Sequence, residues 1–382
     1  MIFSHISDTH LGFVQYYSEE REQDVYSAFD QAIDISIKDH VDFVIFAGDI
    51  FHVPNPSGKA ILVLANALKR LKQNNIDSFF ILGEHDISRI RSTPIPFVYH
   101  NLEFSKYIGN GKPFYHKDVM LVGFDKRRKT EAHTFEKDFA QVDLEAKKHK
   151  GHKILVLHQG IAEINKFAGE LNSTELPKNF TYYAMGHLHE RELKKFGNLG
   201  GPLAYPGSIE LTSSEGIKET QKGFYEVDIS SEEAKPNWIK LDTRPQLTVK
   251  TEFKNLKNEV DLLSKKLETF VRKPVVEIKI HGEKIETDLV QSQIARLYPL
   301  SLRCFWKSIQ PEENNGLTFV DKPAKIDDEM FKLAKDILNS ESWANFAIRD
   351  LLPLLSLNQL DEANHLVIEN YTRFKKEKKI VN

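Results

Sequence analysis

The sequence predicts a layered α/β fold. Two observations carry this: short apolar runs alternate with amphipathic helices over residues 1–240, and the runs end abruptly on Asp, Gly or His. Short β-branched and aromatic runs of this kind suit strands of a sheet buried on both faces. Alternation of such strands with helices implies helices layered against that sheet.

The elements follow in order. Ile2–Ser7 and Asp42–Ala47 (IFSHIS, DFVIFA) are strand-like, and between them Glu19–Lys38 has Val25, Phe29, Ala32, Ile33 and Ile37 at helical spacing. Gly58–Lys72 is a second helix, with Ile61, Leu64, Ala65, Leu68 and Leu71 on one stripe. Phe79–Leu82, Lys153–His158 and Tyr182–Met185 are further strands, while Pro113–Val122 and Gly223–Asp228 suggest added antiparallel pairing. These elements define an expected first domain over residues 1–240.

A smaller α/β unit is expected over 245–310: strand Thr248–Phe253, helix Glu259–Thr269, strand Val276–His281, helix Thr287–Leu297 and strand Leu302–Trp306. In the middle strand Val276, Ile278 and Ile280 share one face, with Glu277, Lys279 and His281 on the other. The polar run Pro311–Gly316 opens an expected linker over 311–326. Residues 327–382 carry helical stripes at Met330, Phe331, Ala334, Ile337 and Leu338, and at Leu360, Ala363, Val367, Tyr371 and Phe374, with Pro353 as a breaker between them. They form an expected helical hairpin.

Composition excludes some classes. Hydrophobic content of 41% and charged content of 28% are those of a soluble globular protein, and no apolar run nears the ~20 residues of a membrane span. The chain enters a strand at once, which leaves no room for a signal peptide, and Cys304 is its only cysteine. Both fit an intracellular, cytoplasmic setting. A net charge of −3 does not mark a nucleic-acid binder, so any attraction to DNA must be local.

The chemistry lies where strands end. Asp8-Thr9-His10, Gly48-Asp49, Gly83-Glu84-His85, His158 and Gly186-His187-Leu188-His189 each follow a short apolar strand. Ligands of open α/β sheets collect at the carboxyl ends of strands, so these segments are expected to converge. Carboxylates from Asp8, Asp49 and Glu84 with imidazoles from His10, His85, His158, His187 and His189 suit Mn²⁺, Zn²⁺ or Fe²⁺ better than Ca²⁺. There are enough ligands for two metals, which can activate water and stabilise the leaving oxygen of a phosphate ester. A single Asp-x-His or His-x-His is ordinarily a turn or surface pair; their coincidence at every exit is what argues for a site.

These motifs resemble those of calcineurin-like metallophosphoesterases. With Ser7–Gly12, a helix carrying Arg21 and Glu22, and Ala47–His52, they more nearly resemble the double-strand-break repair nucleases called Mre-eleven in archaea and eukaryotes and SbcD in bacteria. The motifs cover residues 1–225; beyond them the resemblance rests on layout. It implies one metal held by Asp8, His10, Asp49 and His189. A second is implied on Asp49, Glu84, His158 and His187, with Asp49 bridging. His85 would contact the scissile phosphate or protonate the leaving 3′ oxygen, and His52 would position DNA; the plain reading of His52 is a half-buried loop histidine. Asp86 fits a turn better than a ligand. The resemblance further implies two Mn²⁺ ions, a 3′-to-5′ exonuclease on duplex ends and an endonuclease on single strands or hairpins. It also implies a capping role for the smaller unit, a homodimer, and docking of the helical tail on a coiled-coil ABC-type ATPase of the Rad-fifty/SbcC type. A small-substrate phosphoesterase and a non-cleaving DNA-end scaffold are the alternatives.

The family places asparagine where this chain has Glu84. Two dications facing two aspartates and a glutamate retain one formal positive charge, against two with asparagine. Glu84 is therefore expected to act as a retuned ligand; alternatively it turns away, or leaves a site that binds metal and cuts poorly. The runs Lys126–Lys129 and Lys147–Lys150 are either phosphate contacts or solvated faces.

Overall fold

A computed structural model of the protein describes residues 1–88, 93–166, 168–212, 221–282, 284–309, 331, 334–335, 340–352, 366–368 and 370–371. It divides into two compact units, Met1–Pro311 and Glu312–Asn382. In the first unit the strands, in chain order, are β1 (Ile2–Ile6), β2 (Phe43–Ala47), β3 (Asp77–Ile81), β4 (Lys106–Tyr107), β5 (Phe114–His116), β6 (Val119–Phe124), β7 (Lys153–His158), β8 (Tyr182–Gly186), β9 (Glu192–Lys194), β10 (Leu203–Tyr205), β11 (Gly223–Asp228), β12 (Lys235–Lys240), β13 (Gln246–Glu252), β14 (Val275–His281) and β15 (Arg303–Ser308). The helices are α1 (Glu19–Lys38), α2 (Gly58–Gln73), α3 (Pro96–Asn101), α4 (Phe135–Lys148), α5 (Leu256–Leu267) and α6 (Thr287–Ile294).

Two six-stranded sheets form the centre, in the orders β12-β11-β1-β2-β3-β4 and β5-β6-β7-β8-β10-β9. Their facing sides share one core. Phe3, Phe43, Ile45 and Phe79 of the first sheet pack with Ile154, Val156, Tyr182 and Ala184 of the second. The alternate residues point outward: Val44, Phe46 and Phe80 meet α1 and α2, while Leu155, Leu157 and Tyr183 meet α4. Because side chains alternate at every step and both faces are covered, β2 and β6 are uninterrupted apolar runs. The expected hairpin pairing is found, β5 with β6 and β11 with both β1 and β12 antiparallel.

β1–β2–β3 and β6–β7–β8 are parallel, so their carboxyl ends emerge together. That common exit positions the site. α1 starts with Glu19, Glu20 and Glu22 and ends with Lys38, each charge opposing the helix dipole at its end. α2 is capped by the Ser57 hydroxyl, which accepts the Ala60 N–H at 3.2 Å.

The third sheet, β13-β14-β15, is parallel and is backed by α5 and α6 over Val276, Ile278, Ile280, Val260 and Ile294. The helix expected to reach Leu297 stops at Ile294 and continues as a 3₁₀ segment to Leu300, which contains Pro299. Glu277, on the face expected to be polar, is fully buried beside Lys279 and Lys307. Lys279 and His281 on the same face are only partly buried, so of the three Glu277 alone is closed off from solvent. Arg244 holds this unit's entrance: it donates to Asp24 of α1 at 2.6 Å and to the Lys273 carbonyl at 2.7 Å.

In the second unit Glu341–Asn345 is helical and is capped by the Ser340 hydroxyl, which accepts the Trp343 N–H. Arg349 lies over the Phe331 ring. The linker expected over 311–326, the Pro353 break and most of the two tail stripes lie outside the described residues.

Candidate dinuclear metal centre

All of the residues singled out at strand exits meet at one place. Asp8, His10 and His189 form one group and Glu84, His158 and His187 a second; within each, one donor atom per residue lies within 4.8 Å of the others. Asp49 joins them, its Oδ2 lying 3.9 Å from His10 Nε2 and 3.3 Å from His158 Nε2. His85 and His52 flank the first group, with ring centroids 4.9 and 5.5 Å from His10.

The backbone that delivers these side chains is strained. Asp8, His10, Asp49 and His187 have φ of 52°, 43°, 50° and 93°, in the left-handed region that side chains with a Cβ disfavour. The turns are held by hydrogen bonds. Asp8 N–H donates to Gly48 O at 3.1 Å and His10 N–H to Asp49 O at 3.0 Å. Buried Asp86 accepts from the N–H groups of Gly83, Phe51 and Ile50 at 3.0, 2.9 and 3.2 Å, tying the third exit to the second. Burial and the neighbouring Asp49 charge push its carboxyl up to about 7 despite those bonds. Asp86 thus organises the turn. Gly83 is required because a Cβ there would run into the side chain and backbone nitrogen of Asp49.

The ring nitrogens have defined roles. His158 Nδ1 lies 2.8 Å from Ala47 O, which only accepts, so Nδ1 carries a proton and Nε2 is left facing carboxylates. Nε2 lies 2.9 Å from Glu84 Oε2 and makes no well-directed hydrogen bond. Burial works against a charged imidazole here, but Asp49 and Glu84 outweigh it and hold His158 well above its ordinary pKa. In the other group, His10 Nε2 and His189 Nε2 face one another at 3.0 Å, and buried His10 Nδ1 has no partner. Either tautomer of His10 leaves a nitrogen unsatisfied. A cation among His158 Nε2, the facing His10 and His189 Nε2 atoms and the carboxylates would take the lone pairs that converge here, so the donor set fits metal ions, while His10 Nδ1 stays without a partner.

Glu84 turns inward. Oε1 lies 2.8 Å from His187 Nδ1 and Oε2 lies against His158. Burial opposes its charge, but His158 and His187 hold its carboxyl far below the usual range. Asp49, likewise buried, is drawn down to about 2 by His158 and His10. His85 Nδ1 is bonded to the His52 carbonyl at 2.7 Å, which leaves Nε2 as the nitrogen that can exchange a proton. The His52 ring stacks on His85 at 5.2 Å, and burial followed by the neighbouring His85 lowers it to about 4.

Of these groups His10, His52, Glu84, His85, His187 and His189 line a cleft of about 1300 Å³, which Tyr16, Glu277, Phe305 and Lys307 from the α1 approach and the third sheet also line. Arg21, by contrast, is buried and spends its guanidinium on Gln15, Asp24 and Glu210. In the basic runs Arg128, Lys129, Lys147, Lys148 and Lys150 are exposed, while Lys126 and Arg127 are committed to ion pairs. Lys126 is paired with Glu170 at 2.7 Å, Arg127 with Asp138 at 2.6 Å, and Lys147 and Lys148 end α4. Asp125 escapes the sequence reading, and Lys126 enters it only as part of a basic run, although both obey the same rule as the other motifs. They follow directly on β6, which runs two residues past its expected end. Glu170, on an irregular loop, carries no such signal.

Residues 1–191 match the calcineurin-like phosphoesterase family. The DNA double-strand break repair protein Mre11 of Saccharolobus solfataricus is 34% identical over 309 residues, covering 78% of this chain and 80% of that one. The Mre11 of Sulfurisphaera tokodaii is 31% identical over 386 residues, covering 94% and 98%. That of Methanocaldococcus jannaschii is 31% identical over 372 residues, covering 90% and 96%.

Proposed function

Because the chain belongs to the Mre11 family of DNA double-strand break repair proteins, within the calcineurin-like phosphoesterases, we propose that it is a dinuclear-metal DNA nuclease. The observation that carries this reading is the pair of imidazole–carboxylate groups sharing Asp49 at one cleft, with His85 beside them. Asp8, His10, Asp49 and His189 would hold one ion, and Asp49, Glu84, His158 and His187 the other. When bound, two such ions, Mn²⁺ in this proposal, supply Lewis acidity toward a phosphodiester and an activated water.

The chain's own groups supply the rest. The Nδ1–H of His158 is committed to Ala47 O, which keeps the Nε2 lone pair aimed at the site. The His52 carbonyl fixes the His85 ring in the same way, so His85 Nε2 stands where it can hand a proton to a leaving 3′ oxygen. The stacked His52 ring braces that imidazole. The third sheet, which also lines the cleft, is suited to span the DNA, and the tail to dock on a coiled-coil ABC-type ATPase. Exonuclease action on duplex ends, endonuclease action on single strands and homodimerisation are parts of the same proposal. No described helix is long and apolar enough to cross a membrane, and the expected place of action is with the chromosome.

The test is a cleavage assay on labelled duplex and single-stranded DNA with Mn²⁺, Mg²⁺ or chelator, for the wild type and His85→Gln. Mn²⁺-dependent product that drops about 10²-fold or more in the variant is expected. DNA binding without turnover would instead identify an end-binding scaffold. Hydrolysis of small phosphodiesters alone would identify a small-substrate phosphoesterase.

A further inference from the structure

We infer that Lys126, anchored by Glu170, is the positioning residue that makes a glutamate workable at position 84; this deepens the dinuclear reading above and rests on it. Lys126 sits on the hidden side of Glu84. Its ammonium lies 3.9 Å from Glu84 Oε2, and its side chain is only 8% exposed. A buried ammonium needs anionic partners. Glu170 provides both of its oxygens, at 2.7 and 2.8 Å, and Glu84 is the further carboxylate within reach.

The same short segment braces the backbone at both turns of the second group. Lys126 N–H donates to Leu82 O at 2.9 Å, and Asp125 Oδ1 accepts the Leu82 N–H at 2.8 Å. Both polar groups of the residue before Gly83-Glu84 are thereby fixed. On the far side, Glu170 Oε2 also accepts the Gly160 N–H at 3.0 Å, two residues beyond His158. One ion pair therefore joins the turn carrying Glu84 to the turn following His158. A glutamate is longer than an asparagine by one methylene and carries a charge. A cation near Oε2, the oxygen that also faces His158, offsets that charge and limits the swing of the longer side chain, which keeps the carboxylate turned toward His158 and His187.

The prediction is a coupling between positions 84 and 126. Mn²⁺ is titrated calorimetrically into metal-stripped full-length wild type, Lys126→Met, Glu84→Gln, the double variant and Lys126→Arg. Lys126→Met should weaken Mn²⁺ binding about tenfold when Glu84 is present, on the scale of residues that orient metal ligands, and by less than about twofold in the Glu84→Gln background. Lys126→Arg should stay within about threefold of wild type. Equal weakening in both backgrounds would overturn the inference, because Lys126 would then serve only Glu170. Tighter Mn²⁺ binding in Lys126→Met would also overturn it, because the ammonium would then act only by repelling the ions. If Lys126→Met does not fold, Glu170→Gln, which frees the ammonium from its anchor, is read against the same two outcomes. Mn²⁺ binding without coupling removes this inference alone. A wild type that binds no Mn²⁺ overturns the dinuclear reading and this inference with it.

Discussion

The two halves of the candidate metal centre are built by different means. The half formed by Asp8, His10 and His189 is held by backbone: Asp8 and His10 have left-handed φ, are almost wholly buried, and hang from hydrogen bonds to the neighbouring strand exit. In the half formed by Glu84, His158 and His187, backbone fixes His158 through Ala47 O and His187 at φ 93°, but Glu84 is held by charge. Glu84 is partly exposed, and its pose depends on two imidazoles with Lys126 behind it. Strain locked in by a packed sheet leaves no room to change a ligand. A ligand oriented by side-chain charge can change if its partner does, and the departure from the family pattern lies in that half.

The strongest way to break the contrast is to remove what both halves share. Asp49→Asn leaves the shape but takes away the carboxylate common to the two groups. Mn²⁺ binding should fall in both, and DNA cleavage by at least about 10³-fold, measured by calorimetry and single-turnover assay. Loss of only one bound equivalent would show that Asp49 does not bridge.

Glu84→Asn addresses the charge-held half alone. It should weaken Mn²⁺ binding about tenfold in that half, leave the other unchanged, and keep cleavage at saturating Mn²⁺ within about tenfold of wild type. An inert wild type whose cleavage is restored by this substitution would show instead that the glutamate ended the chemistry. It would leave a metal-binding scaffold.

The smallest effect sharpens the description of the backbone-held half, whose strand β1 carries buried His5. His5 Nε2–H donates to Met185 O at 3.2 Å and Nδ1 faces the Tyr182 hydroxyl at 3.0 Å, the pattern of a neutral ring. Burial, only partly opposed by the Met185 bond, pulls it down to about 3. Below its ordinary value of about 6.5 the unfolded chain takes a proton that the folded chain refuses until about pH 3. Its stability contribution is thus complete above about pH 6.5 and declines by about 1.4 kcal/mol per pH unit on acidification. His5→Phe should cost about 1–3 kcal/mol at neutral pH by stranding Tyr182 and Met185, and should be shallower in acid by that slope. Urea unfolding in chelator between pH 4.5 and 7 measures the difference; parallel curves would mean that His5 is charged in the fold.

Much of the architecture was legible because doubly covered strands have an unmistakable composition. Phe43–Ala47 and Lys153–His158 could hardly be anything else once Asp49 followed the one and His158 ended the other. The short strands β4, β9 and β10 were not legible, since two or three residues carry no periodicity. The apolar pattern of β6 ends at Val122, before Gly123 and two residues short of its true end, which hides Asp125 at the exit and leaves Lys126 inside a charge run. Glu277 was expected on a polar face and is buried, because the alternation of a strand tells which residues share a side but not what covers it.

By itself the sequence determined the residue types, their place at strand exits and hence the chemistry on offer, since apolar runs and the residues that end them are local properties. Only the tertiary structure decided that Glu84 turns inward and that Lys126 belongs to Glu170 and Glu84 instead of solvent. Lys126 lies 42 positions from the one carboxylate and 44 from the other, and no local pattern encodes which charge a folded chain will bring behind which.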